Sequence, residues 1–419
     1  PAAPRPPAEP VPVVAAPPPA APEPADESPE RTPPPTAAVV AEAEALRSGG
    51  DVRAAIERLA AHVAEFPEDA AARRVLGLLA LDAEDWAVAD TNLSLAAQAD
   101  PADGRAVLGA AIAKQWLTAR GGARYSVRDL HRLYRDAARL LPDDDEPLRR
   151  LVGLTPDDVA RQCAALDEVL ADNPAAVRAR VRKGQLLLGA TPPDVGGALA
   201  LLDEAVRLSP EDAAVRGARG RVLAAAGRAA DAVVDYTAAL AGGGGDVRAV
   251  SDALDALLHP GDPRQPVPRD VREAACEALC AANPGDPRFA NNAGLWFRDE
   301  AKDYEASVRW YERALAAAPE DIDLLNDTAY LYLHHLREWK DHALPLLERA
   351  RRLVETDGRP ATRGYWDALE NLCRYWYEVG RLEEVVRCAD RRAATGSPYV
   401  SKAAADYRKK ALDRLAAAK

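Results

Sequence analysis

The chain has 419 residues, with 54 lysines and arginines against 66 aspartates and glutamates, which gives a formal net charge of −12. A chain this acidic, with no stripe of basic residues free of interleaved acids, lacks the face that neutralises phosphates, so we expect no nucleic-acid partner. No stretch approaches the roughly 18 uncharged apolar residues of a membrane-spanning helix, so we expect no membrane span.

Residues 1–36 form the first predicted region. Fifteen of the 34 prolines lie there, mixed with alanine and a few acids. Such a segment cannot bury apolar surface or form a hydrogen-bond ladder, so the composition predicts a disordered, extended tether. A proline-rich fringe without function is the alternative. The chain begins at Pro1 and contains no Met, so we expect a signal peptide, a lipid anchor, a membrane helix or another domain upstream.

From residue 37 onward, small residues and prolines recur roughly every 34 residues. The first helix of each unit carries a small residue, and the second helix carries two alanines and ends at a proline. In the clearest copy, residues 70–103, these positions are Leu76, Gly77, Ala89, Leu93, Ala96 and Pro101. Two helices that approach closely through their small residues explain this order, and the proline stops the second helix because it has no N–H. Such a unit must stack on neighbours to bury its apolar face.

This pattern resembles that of the tetratricopeptide repeat (TPR) family. Further copies cover residues 184–210, 220–239, 294–319 and 329–350. The resemblance implies an all-α fold, a right-handed superhelical solenoid of about ten helical hairpins, with a capping helix over residues 397–419. It also implies a protein or peptide partner. The proline- and alanine-rich start is similar to that of anchored bacterial envelope proteins, which favours the cell envelope or periplasm over the cytoplasm.

Glycine and proline interrupt the repeats between residues 242 and 270. Four consecutive glycines and a proline-rich connection cannot continue a helix. They predict either a hinge or a long hairpin loop within a degenerate repeat. The repeats therefore divide into an N-terminal arm, residues 37–241, and a C-terminal arm, residues 271–396.

Motifs for catalysis or metal binding are missing from the sequence. It contains no H-E-x-x-H, G-x-S-x-G or C-x-x-C pattern, so we expect no enzymatic activity and no cofactor. His334, His335 and His342 are close in sequence, but we expect them at exposed helix ends and not as metal ligands. Cys373 and Cys388 lie on the two helices of one hairpin. Buried free thiols and a disulfide both remain open for this pair.

Aromatic residues are concentrated in the C-terminal arm. Of the 22 aromatic residues, 16 lie from residue 287 onward. Because aromatic side chains supply much of the contact area in recognition sites, this arm is the candidate binding surface. The repeat register places Tyr330 and Tyr377 on first helices, facing the concave groove.

Polar residues occupy equivalent places on the same first helices. In peptide-binding members of the TPR family, an Asn at this place often hydrogen-bonds the ligand backbone, and the resemblance implies that role here. The chain departs from the carboxylate-clamp pattern of that family, which needs several groove lysines and arginines. The candidate partner-binding residues are Arg288, Asn291, Asn292, Asn326, Asp327, Tyr330, Asn371, Arg374 and Tyr377.

The sequence therefore favours a non-catalytic scaffold that binds a segment of a partner protein in the groove of the C-terminal arm. A regulatory or docking region of a larger enzyme, with its catalytic domain upstream of residue 1, is the alternative. A structural subunit that stacks through its ends is a third hypothesis.

Overall fold

The computed structural model describes residues 36–121, 125–243, 246–258, 267–395 and 402–418. Within these ranges the chain forms 21 α-helices and two π-helical segments, and no strand. The prediction of an all-α fold is confirmed. The chain divides into two compact units between residues 123 and 124.

The first unit contains five described helices. Helices that follow each other in sequence pack against each other, and α3 and α5 also contact each other. The helices are α1 (Thr36–Ser48), α2 (Val52–Glu65), α3 (Ala70–Asp82), α4 (Trp86–Ala99) and α5 (Gly104–Ala119).

The second unit contains the remaining helices and both π-helical segments. Its α-helices are α6 (Val127–Leu140), α7 (Glu146–Gly153), α8 (Val159–Asp172), α9 (Val177–Gly189), α10 (Val195–Leu208), α11 (Ala213–Ala225), α12 (Ala229–Ala241), α13 (Val247–Leu258), α14 (Arg269–Ala282), α15 (Pro287–Asp299), α16 (Tyr304–Ala317), α17 (Ile322–Leu331), α18 (Leu344–Glu355), α19 (Arg363–Glu378), α20 (Leu382–Ala394) and α21 (Lys402–Ala417). The π-helical segments, Tyr332–Leu336 and Trp339–Ala343, lie between α17 and α18.

Aspartate is the recurrent N-cap of these helices. In each case the carboxylate accepts a hydrogen bond from a backbone N–H of the first turn, a donor that the helix itself leaves unpaired. These aspartates are Asp51, Asp69, Asp85, Asp103, Asp158, Asp194, Asp212, Asp286, Asp303 and Asp321. Each such cap contributes about 0.5–2 kcal/mol relative to alanine, so short polar connections between helices are themselves a source of stability.

The glycines of the repeat pattern allow close helix contact, as the sequence predicts. A Cβ on Gly77 of α3 would lie 2.5 Å from Cγ of Leu93 in α4. A Cβ on Gly294 of α15 would lie 2.9 Å from Cδ2 of Tyr311 in α16. Leu93 and Tyr311 are both fully buried, so the larger side chain of each hairpin fills the space that the glycine leaves.

The apolar core of the second unit runs between the helices of successive hairpins. Phe297, Trp310 and Tyr311 are buried in one cluster. A neighbouring cluster joins α17, α18, α19, α20 and α21. The core therefore continues from one hairpin to the next, as expected for stacked units that do not bury their apolar faces alone.

Several predicted boundaries fall on residues outside the described ranges. The predicted tether lies there except for Thr36, which begins α1. Residues 244–245 and 259–266 of the predicted hinge also lie there, so the division into two arms stays a prediction. Within residues 397–419, α21 packs against α19 and α20 and buries Ala404 and Ala411.

The cysteines of the described chain are free thiols. Cys373 and Cys388 belong to the same buried apolar cluster of the second unit. Burial raises the pKa of the Cys388 thiol to about 11 and also raises the pKa of Cys373. Both side chains therefore pack as small, protonated, apolar groups.

We predict that Gly294→Ala lowers the free energy of unfolding by about 1–3 kcal/mol, because the added methyl group collides with a buried ring. Urea titration followed by circular dichroism measures this as a lower midpoint. Gly153→Ala is the matched control, since a Cβ at Gly153 meets no atom within 4 Å. Equal midpoints for the two variants would contradict the close approach of α15 and α16.

Candidate functional site

The candidate site is a cavity of about 810 Å³ in the second unit. Its walls come from α15, α17 and α19, which are the first helices of three successive hairpins, together with the start of α16 and the first π-helical segment. We refer to it as the main cavity. Four of the predicted binding residues line it: Asn326, Asp327, Tyr330 and Asn371.

A directed chain of hydrogen bonds, called here the floor of the main cavity, links four of its lining residues to Arg374, which is not itself part of the lining. Arg374 Nη1 donates to Nδ1 of His334 at 2.6 Å, and the Nε2–H of His334 donates to Oδ1 of Asn371 at 3.0 Å. Asn371 Nδ2 then donates to Oδ1 of Asn326 at 2.9 Å, and Asn326 Nδ2 lies 3.4 Å from Oδ1 of Asp327. Asn326 and Asn371 are buried, so this chain satisfies amide groups that would be costly to leave unpaired.

The chain of donors requires His334 to be neutral and to carry its proton on Nε2. Arginine has only donors, so the nitrogen that faces it must accept. Burial lowers the pKa of His334, and the nearby positive charge of Arg374 lowers it further. His334 was expected at an exposed helix end, and this was wrong: it is half-buried and hydrogen-bonded on both ring nitrogens.

One wall of the main cavity is aromatic. The ring of Tyr330 stacks on His334 with centroids 4.2 Å apart, and Tyr304 stacks on His335 at 3.8 Å. Tyr330 also meets His335 edge-on at 5.6 Å, so the four rings are continuous. Two adjacent histidines reach one cavity because they lie in a π-helical segment, where the regular α-helical spacing is interrupted.

The charged residues of the main cavity are predominantly acidic. Its lining includes the carboxylates of Asp299, Asp323, Asp327, Asp367 and Glu370 and the cations Arg298, Lys302 and Arg363. Arg298 donates to Asp299 at 2.8 Å, which lowers the pKa of Asp299. Desolvation raises the pKa of Asp327 and of Asp367, and the nearest cations are too far away to cancel this effect. Arg298 Nη1 lies 4.0 Å from Oδ2 of Asp327, and Arg363 Nε lies 3.5 Å from Oδ2 of Asp367.

Asp323 joins two of the helices that form the cavity. Its Oδ1 accepts a hydrogen bond from the backbone N–H of Gly364 at 2.6 Å and from the hydroxyl of Thr362 at 3.2 Å. A Cβ on Gly364 would lie 2.6 Å from the Cα of Asp323, so only glycine permits this contact. The N-terminus of α19 is thereby held against the N-terminus of α17.

Two further predicted residues, Arg288 and Asn291, line a second cavity of about 240 Å³. This cavity shares Asp323 and Asp327 with the main cavity, so the two adjoin along α17. Arg288 is exposed and pairs with Asp286 at 2.7 Å. Asn291 is half-buried, and its side-chain amide makes no hydrogen bond within the part of the chain that the structure describes.

The remaining predicted residues lie elsewhere. Asn292 donates to Asp255 of α13 at 3.2 Å and borders a separate, much smaller space. Tyr377 packs against Tyr407 of α21 with ring centroids 5.4 Å apart, and Arg414 lies over its ring at 5.2 Å. Tyr377 therefore contacts the C-terminal helix and is not part of either cavity lining, although its role in binding stays a prediction.

Several lining residues were not identified from the sequence, chiefly Tyr304, Asp323, His335 and Asp367. The register of the repeats marks the first helices, but Tyr304 and His335 lie beyond them. An aspartate two residues after the N-cap of α17, paired with a glycine at the start of α19, is a signal that could have identified Asp323 and Gly364.

Among the described residues, no group of three or more histidine, cysteine or carboxylate side chains is placed to hold a metal ion. No helix formed by these residues is long and apolar enough to cross a bilayer.

Comparison with known families identifies the repeat. Residues 40–90 and 194–247 match the family model of the tetratricopeptide repeat. Both matched segments lie in helical hairpins of the kind described above, and the chain contains tetratricopeptide repeats in these two segments. This repeat fold supports a scaffold for protein–protein interaction in general. Comparison with curated proteins gave no match.

Solved TPR structures resemble the chain only distantly. Yeast Tom70 is 13% identical, with 91% of this chain and 96% of that one covered and a TM-score of 0.32. YrrB, described as a TPR protein with an unusual peptide-binding site, is 17% identical over 47% of this chain and 95% of its own, with a TM-score of 0.30. The protein pilF of Pseudomonas aeruginosa is 18% identical over 52% of this chain and 94% of its own, with a TM-score of 0.33.

We predict a pH dependence of stability that is due to His334. Its pKa in the folded chain lies below the usual 6.5, so the unfolded chain binds this proton more readily. The stabilisation that comes from holding His334 neutral is complete above about pH 6.5, and it is lost as the pH falls towards the lowered pKa. The stability advantage of the wild type over His334→Gln should therefore shrink by on the order of 1 kcal/mol between pH 7.5 and 5.

Urea midpoints at several pH values test this prediction. The carboxyls of Asp327 and Asp367 are present in both proteins, so their titration cancels in the difference. His342→Gln is the control, because it removes a histidine that is half exposed and lies outside the main cavity. Parallel profiles for the wild type and His334→Gln would show that the imidazole is not held in its neutral form.

Proposed function

We propose that this chain is a non-catalytic interaction scaffold that binds a segment of a partner protein in the main cavity and the cavity beside it. The observation that carries the proposal is the main cavity itself. Its volume of about 810 Å³ falls within the range of roughly 300–1,000 Å³ that is typical of ligand sites. It is formed by three first helices in succession, which is where the repeat register places partner-binding residues.

The amides that were expected to contact a partner differ in their availability. Asn326 and Asn371 already hydrogen-bond to each other, so a partner would have to break that bond to use them. Asn291 is the amide that stays available. We therefore assign Asn326 and Asn371 to positioning the cavity floor and Asn291 to direct contact with a partner backbone.

Energetics require apolar contact as well as hydrogen bonds. A hydrogen bond contributes about 0.5–1.5 kcal/mol net, whereas association costs at least about 4 kcal/mol. One or two amide contacts cannot offset that cost. The stacked wall of Tyr304, His335, Tyr330 and His334 offers the aromatic surface on which an anchor side chain could be buried.

We predict that Tyr330→Ala and Asn291→Ala each weaken binding of a cavity ligand by about tenfold, or about 1.4 kcal/mol. The ligands are 12-residue peptides selected from a random displayed library on the immobilised full chain, and the dissociation constants are measured by fluorescence anisotropy. Asn371 is not used, because its loss would disturb the cavity floor.

Val379→Ala is the matched control, since Val379 is an exposed apolar residue that lines neither cavity. Thermal unfolding followed by circular dichroism shows whether each variant is folded. If every selected peptide binds Tyr330→Ala and Asn291→Ala as tightly as the wild type, the assignment of the partner site to these cavities is wrong.

A further inference from the structure

We propose that the main cavity receives a cationic side chain, lysine or arginine, from the partner segment. This inference rests on the proposed function and adds the chemistry of the ligand. The geometry that carries it is a cavity in which incompletely paired carboxylates face a continuous aromatic wall.

The carboxylates of the cavity are not equally engaged. Asp299 is held by Arg298, and Asp323 accepts hydrogen bonds at the start of α19. Asp327 and Asp367 are the two whose cation contacts are long, at 4.0 Å and 3.5 Å. A short charge-assisted hydrogen bond is about 2.7–2.9 Å, so both have room for a closer cation.

Burial strengthens the case for these two groups. Both carboxyls have raised pKa values because they are partly removed from water. A partly desolvated carboxylate without a close partner is destabilised, and an incoming ammonium or guanidinium group would offset part of that cost. Arg298 is already engaged by Asp299 and by the hydroxyl of Tyr311, so it cannot move nearer to Asp327 without leaving those contacts.

The aromatic wall suits the same ligand. The faces of tyrosine rings attract cations within about 6 Å, and His334 is held neutral, so the wall adds no positive charge at its centre. The long methylene stem of lysine or arginine would pack against the rings while its charged end reaches the carboxylates. An acidic ligand, as in a carboxylate clamp, would instead meet five carboxylates and three cations.

The test compares charged and neutral forms of the same ligand. Peptides from the displayed library whose binding depends on Tyr330 are synthesised with each arginine or lysine replaced in turn by citrulline, which keeps a similar length and removes the charge. At one position the charged form should bind the wild-type chain about tenfold more tightly. In Asp327→Asn and in Asp367→Asn this preference should fall to about twofold.

Asp390→Asn is the matched control, because it removes the same charge from an exposed site paired with Arg408, outside both cavities. It should keep the tenfold preference. Asp327→Asn retains the side-chain oxygen that lies near Asn326. If Asp327→Asn fails to fold, Asp367→Asn still tests the proposal.

The possible failures are distinguishable. Peptides that lose affinity with Tyr330→Ala but show no preference for a charged residue would overturn this inference and leave the proposed function intact. A preference that is equal in the wild type, Asp327→Asn and Asp367→Asn would also overturn it. Peptides that are insensitive to both Tyr330→Ala and Asn291→Ala would overturn both proposals, and peptides that depend on Asn291 but not on Tyr330 would overturn this inference alone.

Discussion

A directed chain of hydrogen bonds organises the C-terminal hairpins. It starts at the guanidinium of Arg374, which can only donate, and runs through His334 and Asn371 to Asn326, at the edge of the Asp327 carboxylate. His334, Asn371 and Asn326 each use one donor and one acceptor. Flipping any of these side chains would therefore place two donors or two acceptors against each other. The chain therefore sets the tautomer of the imidazole and the orientation of both amides, and it ties α17 to α19 across 45 residues of sequence.

The cavity above this chain depends on it. Because Asn326 and Asn371 are hydrogen-bonded to each other within the fold, they give the cavity its shape, and in the proposed function recognition falls to the surrounding side chains. Tyr330 stacks on the imidazole that the chain holds, so the aromatic wall is positioned by the same contacts. The contact of Asp323 with Gly364 then closes the other end of the same pair of helices. A partner would meet a preformed surface, which lowers the ordering cost of binding.

Much of the fold could be predicted from the sequence, because each hairpin encodes its own packing. Gly77 beside Leu93 and Gly294 beside Tyr311 are local pairs that recur with the repeat. The site was predicted only in part. The register identified Asn326, Tyr330 and Asn371, but not that the two amides bond to each other, since that contact joins separate repeats. The π-helical segment that brings His334 and His335 to one cavity has no comparable signal in the spacing of apolar residues.

The protonation state of His334 tests this account most directly. Nitrogen-15 NMR of the full chain with labelled histidine, with His334 assigned through His334→Gln, reports which ring nitrogen carries the proton. At pH 7 the account predicts a neutral ring with its proton on Nε2, donating to Asn371 and accepting from Arg374. An imidazolium ring, or a proton on Nδ1, would contradict the directed chain and with it the arrangement of the cavity floor.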